Sequence, residues 1–298
     1  MDEVNDHDNA DERGNEAGRI QDDDSVNDDF SNDDDDASVG LDEQTLPLIK
    51  CNDPTITSLK VGGWDEDEFA SSVIWEKEGH CIGDNTNVKK LSITGCYDGE
   101  EEPTRRNFDE FCKGLARNRS IEHLEIDDCE LNDGSAFAIL SPLFGHNANL
   151  HRLDICSCTM NVECTRMFAL ALEGCTNSSL ERIELDCNEI EDGPAGELIA
   201  VLNKHHPNLV KLSLLGNNVG RNGCVALGNL LENPMCKLKE LYLNRNSIDD
   251  ECIILLENAL ANNTTLEKLD LSNNKLITAT GWQALSTSDS KVKVVGAK

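Results

Sequence analysis

The chain has 298 residues, and its 57 acidic against 26 basic residues give a formal net charge of −31. This excess argues against nucleic-acid binding, because phosphate contacts require clusters of Lys and Arg. No apolar run approaches the roughly 18 residues of a membrane span, and no basic stretch followed by an apolar one marks a secretory signal. The sequence therefore predicts a cytoplasmic protein, or a nuclear one, whose thirteen cysteines stay reduced.

The amino-terminal segment carries a disproportionate share of the negative charge. Residues 1–50 contain eighteen acidic and three basic residues, and the run DDDSVNDDFSNDDDDAS at 22–38 has almost nothing apolar to bury. Such a segment repels itself and cannot offset the entropy lost on ordering. We therefore expect 1–50 to be an acidic disordered tail, either solubilising or able to attract basic proteins, and 51–298 to be the folded domain.

A nine-residue pattern, LxxLxLxxN/C, recurs seven times in phase. The copies start at Val88, Ile121, Leu150, Leu180, Leu209, Leu238 and Leu266. The steps between copies are 28 to 33 residues long, and an insertion at 97–106, predicted to be a surface loop, accounts for the longest. A degenerate copy (56–64) precedes the array and a truncated one (290–296) follows it.

Each copy is followed by a segment with helical periodicity. Apolar residues recur there every three or four positions, as at Ile253, Leu256 and Leu260, and Asp, Asn or Gly stands where a helix would begin. The clearest segments are 131–147, 190–206, 219–233 and 248–263. Each unit is thus a strand, a turn and a helix. One unit cannot bury its apolar face alone, but a stack can, and helices wider than strands curve the stack.

The seven copies with their helical segments resemble the leucine-rich repeat family, and the long period is similar to its ribonuclease-inhibitor-like subclass. The resemblance covers 56–296. It implies an α/β solenoid, a horseshoe of about eight repeats with parallel strands on the concave face and helices on the convex face. It also implies that the ninth position points inward to satisfy backbone groups where the strand turns. That position holds Cys96, Cys129, Cys158, Asn188, Asn217, Asn246 and Asn274.

The stretch LDICSC (153–158) places two cysteines one residue apart. The repeat makes Cys158 a buried ladder residue, whereas Cys156, at the seventh position, should face outward on the concave side and react readily with a thiol reagent. Two alternatives are a redox sensor at Cys156 and a metal site recruiting His151 and Cys164. Zinc sites favour paired spacings that occur twice, and only one loose cluster exists here, so we predict no metal.

The concave face is the expected binding surface. Positions three, five and seven of each copy point to the same side of a strand. Position three is mostly basic and position five mostly acidic, so pairs such as Arg152–Asp154 and Arg182–Glu184 can neutralise one another. Leu215 and Tyr242 are its apolar points and natural anchors. The candidate partner-binding residues are His123, Glu125, Asp127, Arg152, Asp154, Cys156, Arg182, Glu184, Asp186, Lys211, Leu215, Tyr242 and Asn244.

The sequence shows no Gly-rich phosphate loop, HExxH or GxSxG motif. We therefore predict a monomeric, non-catalytic adaptor without cofactor, membrane contact or small-molecule substrate, which binds a partner protein of basic character. Two alternatives rest on resemblance. Ran-type GTPase-activating proteins also carry an acidic segment, but theirs follows the repeats, and no residue here matches their catalytic arginine. Ribonuclease inhibitor shares the predicted fold, with about twice as many repeats.

Overall fold

A computed structural model of the chain describes residues 39–62, 72–95, 102–131, 134–175, 179–287 and 291–296. These residues belong to one compact unit. Its centre is a single sheet of parallel strands that follow one another in chain order. The strands are β1 (Val39–Gly40), β2 (Ser58–Gly62), β3 (Lys90–Thr94), β4 (His123–Asp127), β5 (Arg152–Cys156), β6 (Arg182–Glu184), β7 (Lys211–Ser213), β8 (Glu240–Tyr242), β9 (Lys268–Asp270) and β10 (Lys293–Val295).

One helix connects each strand to the next. The helices are α1 (Thr45–Lys50), α2 (Ser72–Asp84), α3 (Glu102–Leu115), α4 (Ser135–His146), α5 (Val162–Glu173), α6 (Asp192–His205), α7 (Arg221–Glu232), α8 (Asp250–Leu260) and α9 (Ala279–Thr287). Each helix packs against the helix of the following unit. The predicted fold class, an α/β leucine-rich repeat solenoid with parallel strands, is confirmed.

The structure differs from the sequence prediction at two boundaries. The solenoid begins before residue 51, because β1 pairs with β2 and α1 buries Ile49 at the first edge of the core. The segment predicted as a loop, 97–106, is in part helical, since α3 starts at Glu102. The predicted disorder of residues 1–38 and the ladder position of Cys96 lie outside the described residues.

The register of the sheet follows the repeat. Leu91 pairs with Leu124, Leu124 with Leu153, and Leu153 with Ile183, so position four of each copy pairs with position four of the next copy. These side chains are fully buried, as are those at position six, such as Ile126. Positions four and six therefore form a continuous apolar core, and positions three, five and seven are left on the opposite side of the sheet.

The ninth position forms the predicted ladder. The Asn217 Oδ1 accepts hydrogen bonds from the backbone N–H groups of Asn188 (3.2 Å) and Ile190 (2.9 Å), while its Nδ2 donates to the carbonyl of Leu185 at 2.8 Å. Asn246 and Asn274 repeat this arrangement. Each amide thus satisfies groups of two neighbouring coils, which a turning backbone would otherwise leave orphaned.

A second ladder, which the sequence analysis missed, lies at the helix ends, three residues before most of the copies begin. Asn118 is fully buried; its Oδ1 accepts from the N–H groups of Ser120 and Ile121 at 2.8 Å each, and its Nδ2 donates to the carbonyl of Ile82 at 2.8 Å. Asn85 and Asn263 bond in the same way. Asn118 and Asn263 also begin Asn-x-Ser/Thr triplets, so a structural role accounts for these triplets.

The prediction for Cys158 agrees with the structure, but the prediction for Cys156 is corrected. Cys158 is fully buried and its thiol donates to the carbonyl of Ile126 at 3.4 Å. Cys156 is only half-exposed, and burial, followed by the charge of Asp186, raises the pKa of its thiol. We therefore expect Cys156 to react slowly as a nucleophile, because the thiolate is the reactive form. The exposed thiols of the described residues are those of Cys51 and Cys187.

Replacing a ladder amide should destabilise the protein. We expect Asn217→Ala to lower the free energy of unfolding by about 1–3 kcal/mol, because it orphans buried backbone donors. Asn244→Ala removes an equally buried amide whose Oδ1 has no partner in the described structure. It should therefore leave the free energy within about 0.5 kcal/mol of the native value, or raise it. Urea unfolding measures both, and equal losses would contradict the assigned repeat phase.

Thiol labelling should follow exposure rather than repeat position alone. In the native protein we expect iodoacetamide to modify Cys51 and Cys187 first, Cys156 much more slowly, and Cys158 only after unfolding. Peptide mapping by mass spectrometry at successive times gives the order. Rapid native labelling of Cys156, or labelling of Cys156 and Cys158 at one rate, would refute it.

Candidate functional site

The strand face, which we define as the side chains at positions three, five and seven, carries all thirteen candidate residues. It is more closely packed than the sequence suggested. Asp154, Asp186 and Asn244 are buried and Arg182 is exposed, whereas the other nine are half-buried. Neighbouring strands stand only about 4.8 Å apart, so side chains at the same position of adjacent copies lie close together across the face.

Ion pairs connect four strands across this face. His123 Nε2 lies 2.7 Å from Asp154 Oδ2, and Arg152 Nε lies 2.8 Å from the same oxygen. The Arg152 Nη2 reaches Glu184 at 3.2 Å, and Lys211 Nζ contacts Glu184 at 2.9 Å. Burial lowers the pKa of Arg152, but the Asp154 and Glu184 carboxylates outweigh it and raise that pKa overall. These residues form a fixed, largely self-neutralised band from β4 to β7.

One of the predicted pairs is absent among the described residues. Arg152 and Asp154 are paired as expected, but Glu184 is held by Arg152 and Lys211 of the neighbouring strands rather than by Arg182. The structure shows no ion pair between Arg182 and any described carboxylate. Its exposed guanidinium stands at the centre of the row between Arg152 and Lys211, where two further cations already compete for Glu184.

Two carboxylates on this face lie in environments that disfavour their charge. Burial, and then the nearby Glu125 and Asp128, raise the pKa of Asp127. Burial raises the pKa of Asp186 to about 6, although a hydrogen bond from Ser213 and one from the Leu215 N–H (3.2 Å) oppose the rise. Neither carboxylate has an ion pair with a described cation. Both would be stabilised by a positive charge brought close to them.

The two predicted apolar anchors differ. Tyr242 is half-buried, with Lys268 Nζ 4.5 Å and Lys211 Nζ 5.1 Å from its ring centre, and its hydroxyl donates to Glu240 at 2.8 Å. Its ring and hydroxyl are therefore already engaged. Leu215 is half-buried at the end of the neighbouring strand and keeps part of its side chain exposed.

Asn244 stands beside Leu215 with an unsatisfied amide. Parallel backbone pairing continues past the end of β8. The N–H of Gly216 donates to the carbonyl of Asn244 at 2.9 Å, and the N–H of Arg245 donates to the carbonyl of Ser272 at 3.0 Å. These bonds place Asn244 between Leu215 and Ser272. The side chain is only 6% exposed, and its Oδ1 is buried without a hydrogen-bond partner in the described structure. The sequence placed Asn244 on this face but gave no sign of its burial or of its missing partner.

The described residues contain no group of His, Cys, Asp and Glu that could hold a metal ion. Cys156 and Cys158 are each accounted for by the sheet and the ladder. Within the same ranges, no helix is long and apolar enough to cross a membrane.

Comparison with known proteins agrees with this architecture. A family model described as "Leucine Rich repeat" matches residues 117–140 and 262–286. Among curated proteins, the chain is 29% identical over 175 residues to mouse "NACHT, LRR and PYD domains-containing protein 14", a match covering 58% of this chain and 17% of that protein. It is 30% identical over 174 residues to cattle "NACHT, LRR and PYD domains-containing protein 3", covering 58% and 16%. The chain thus spans less than a fifth of these relatives.

A solved structure of a protein from Bacteroides fragilis has a similar fold. The two superpose with a TM-score of 0.52 at 15% sequence identity, covering 85% of this chain and 67% of that one. At this identity the likeness concerns the fold alone. The in-phase repeats, the parallel solenoid and the family match together show that this chain is a leucine-rich repeat protein.

Proposed function

We propose that the protein is a non-catalytic adaptor that binds a partner protein on its strand face. The observation that carries this proposal is the pair of carboxylates, Asp127 and Asp186, whose pKa values are raised because they lie partly desolvated among other acids. When ionised, such carboxylates lower the stability of the isolated fold, and an approaching cation offsets this cost because it favours the charged form. Repeat solenoids offer an extended surface suited to this purpose.

The partner we propose is basic. The net charge of −31 attracts basic proteins over distances of about 10 Å at moderate salt. On the strand face, the opposite charges of the band from His123 to Lys211 are paired with one another. A Lys or Arg of the partner would therefore form its most favourable ion pairs with Asp127 and Asp186. The acidic segment 1–38 would add to the attraction, and the cytoplasm or nucleus is the compartment we propose for the complex.

Site-specific photo-cross-linking tests which face binds. Benzoylphenylalanine placed at Arg182 on the strand face should yield a discrete adduct in cells that express the protein, because this position is exposed, belongs to the same strand as Glu184 and holds no ion pair with a described carboxylate. The matched position is Leu170 on α5, which is 58% exposed on the helical side. An adduct from Leu170 and none from Arg182 would refute binding through the strand face. Added salt should weaken the adduct from Arg182.

The raised pKa of Asp186 makes a separate prediction about stability. A carboxyl whose pKa rises from 3.8 to about 6 on folding contributes stability that is fully present below about pH 3.8, and this contribution is lost progressively as the pH rises from about 3.8 to about 6. Asp186→Asn imitates the protonated acid and keeps an oxygen for Ser213. We expect it to match the native protein below about pH 3.8, to gain on it between about pH 3.8 and 6, and to exceed its unfolding free energy by about 1–3 kcal/mol above pH 6.

Urea unfolding at pH values from below about 3.8 to above 6 measures this difference. The control is Asn258→Ala on α8, an exposed position that does not titrate and whose effect should not depend on pH. A difference for Asp186→Asn that stays constant across the range would show that Asp186 ionises normally in the fold.

A further inference from the structure

Asn244 lies on the strand face rather than in a ladder, and unlike the ladder asparagines it has an amide without a hydrogen bond in the described structure. The amides of Asn217 and Asn246 each bind backbone groups of two coils. Asn244, two residues before Asn246, makes no side-chain hydrogen bond with a described residue, and its oxygen is buried. A buried acceptor without a donor costs about 1–3 kcal/mol, so the isolated fold gains nothing from an amide here.

The polar groups around Asn244 are already bonded to one another. The Ser272 hydroxyl donates to Asp270 at 2.7 Å, and the Tyr242 hydroxyl bonds to Glu240 and to Lys268. On the other side, Asp186 is held by Ser213 and by the Leu215 N–H. What remains for a ligand at this point is one neutral amide, with its donor and acceptor side by side, and the apolar side chain of Leu215.

This combination fits the main chain of an extended polypeptide. In an extended segment the N–H and C=O of one residue point to the same side, and an antiparallel strand uses both groups together. A side-chain amide carries the matching acceptor and donor. A partial rotation about the last side-chain torsion, whose energy profile is broad, presents the oxygen and the nitrogen to the partner together. A neutral backbone amide also suits a spot whose charges are already paired.

We propose that Asn244 clamps the backbone of an extended segment of the partner protein, pairing with the N–H and C=O of one residue while an adjacent apolar side chain of the partner packs on Leu215. This inference rests on the proposed binding through the strand face and adds the chemistry of one contact. It differs from the electrostatic attraction by Asp127 and Asp186 because it is indifferent to salt and to the charge of the bound residue.

The test uses the full chain and random linear peptides displayed on phage. Peptides selected on the native protein are synthesised, and their affinities are measured by fluorescence anisotropy. Asn244→Ala should weaken binding at least about tenfold, equivalent to about 1.4 kcal/mol. The matched change Asn258→Ala, on the exposed side of α8, should have no effect. The thermal midpoint of Asn244→Ala should not fall below that of Asn258→Ala; a clear drop would make Asn244 a structural residue and overturn the proposal.

Methylation of the peptide backbone identifies the contact. Each peptide nitrogen is methylated in turn, and at one position the change should weaken binding to the native protein but not weaken it further in Asn244→Ala, as expected for two groups that bond to each other. If the two changes add at every position, Asn244 does not grip the main chain, and the inference fails.

The outcomes separate this inference from the proposed function. Peptides whose binding is weakened by Asp186→Asn but unaffected by Asn244→Ala would overturn the clamp and leave the strand face as the binding surface. Recovery of no linear peptide would also overturn the clamp, while the cross-linking at Arg182 decides the proposed function by itself. Peptides indifferent to both substitutions would place binding elsewhere and overturn both proposals.

Discussion

The solenoid depends on satisfying the backbone groups that each coil exposes as it turns. Two files of side chains do this, one where the strand ends and one where the helix ends, and each side chain bonds to the preceding coil. The stretch between the two files is constant, eleven residues from Asn118 to Cys129 and again from Asn263 to Asn274. The stretch that contains the helix varies from 17 to 22 residues. Repeat length can therefore change only on the helical side, while the strand and its face keep their register.

The composition of the ladder changes along the chain, and the bonding changes with it. The later copies carry Asn, whose oxygen receives the backbone N–H two positions beyond the preceding ladder residue, as Asn217 receives Ile190 and Asn274 receives Ile248. In the earlier copies a thiol donates but is a weak acceptor, and the N–H of Leu131 goes instead to the backbone carbonyl of Cys158 at 3.3 Å. The cysteines thus occupy the same ladder position as the asparagines and also bond neighbouring coils to one another.

Periodicity alone predicted the fold and the identity of the strand face, because apolar residues at positions four and six leave positions three, five and seven on the other side. It did not predict the burial on that face. Cys156 and Asn244 were expected to be outward and exposed, yet Cys156 is half-buried and Asn244 is buried, because adjacent strands lie only about 4.8 Å apart and crowd the face. The partner of Glu184 was also missed, because cross-strand distances decide it and one strand's sequence does not contain them. The second ladder left a sequence signal, an Asn three residues before most of the copies, as at Asn85, Asn118, Asn147 and Asn263, although His206 and Met235 take this place before the copies that start at Leu209 and Leu238.

Asn244 and Asn246 show why phase matters more than residue type in this fold. The two side chains have the same chemistry and stand two residues apart, but only Asn246 faces the turning backbone, where its amide donates to the Leu214 carbonyl at 2.7 Å. The amide of Asn244 sits on the strand face among groups that are already paired. An amide at the ladder position stabilises the solenoid. A buried amide on the strand face lowers the stability of the isolated protein unless a group outside the chain supplies the missing donor. The groups on the strand face therefore differ in whether the protein itself already pairs them. Groups paired within the protein form its rigid frame. The Asn244 amide has no side-chain hydrogen bond, and the carboxylates of Asp127 and Asp186 have no ion pair among the described residues, so in the proposed complex these are the groups that a partner would complement.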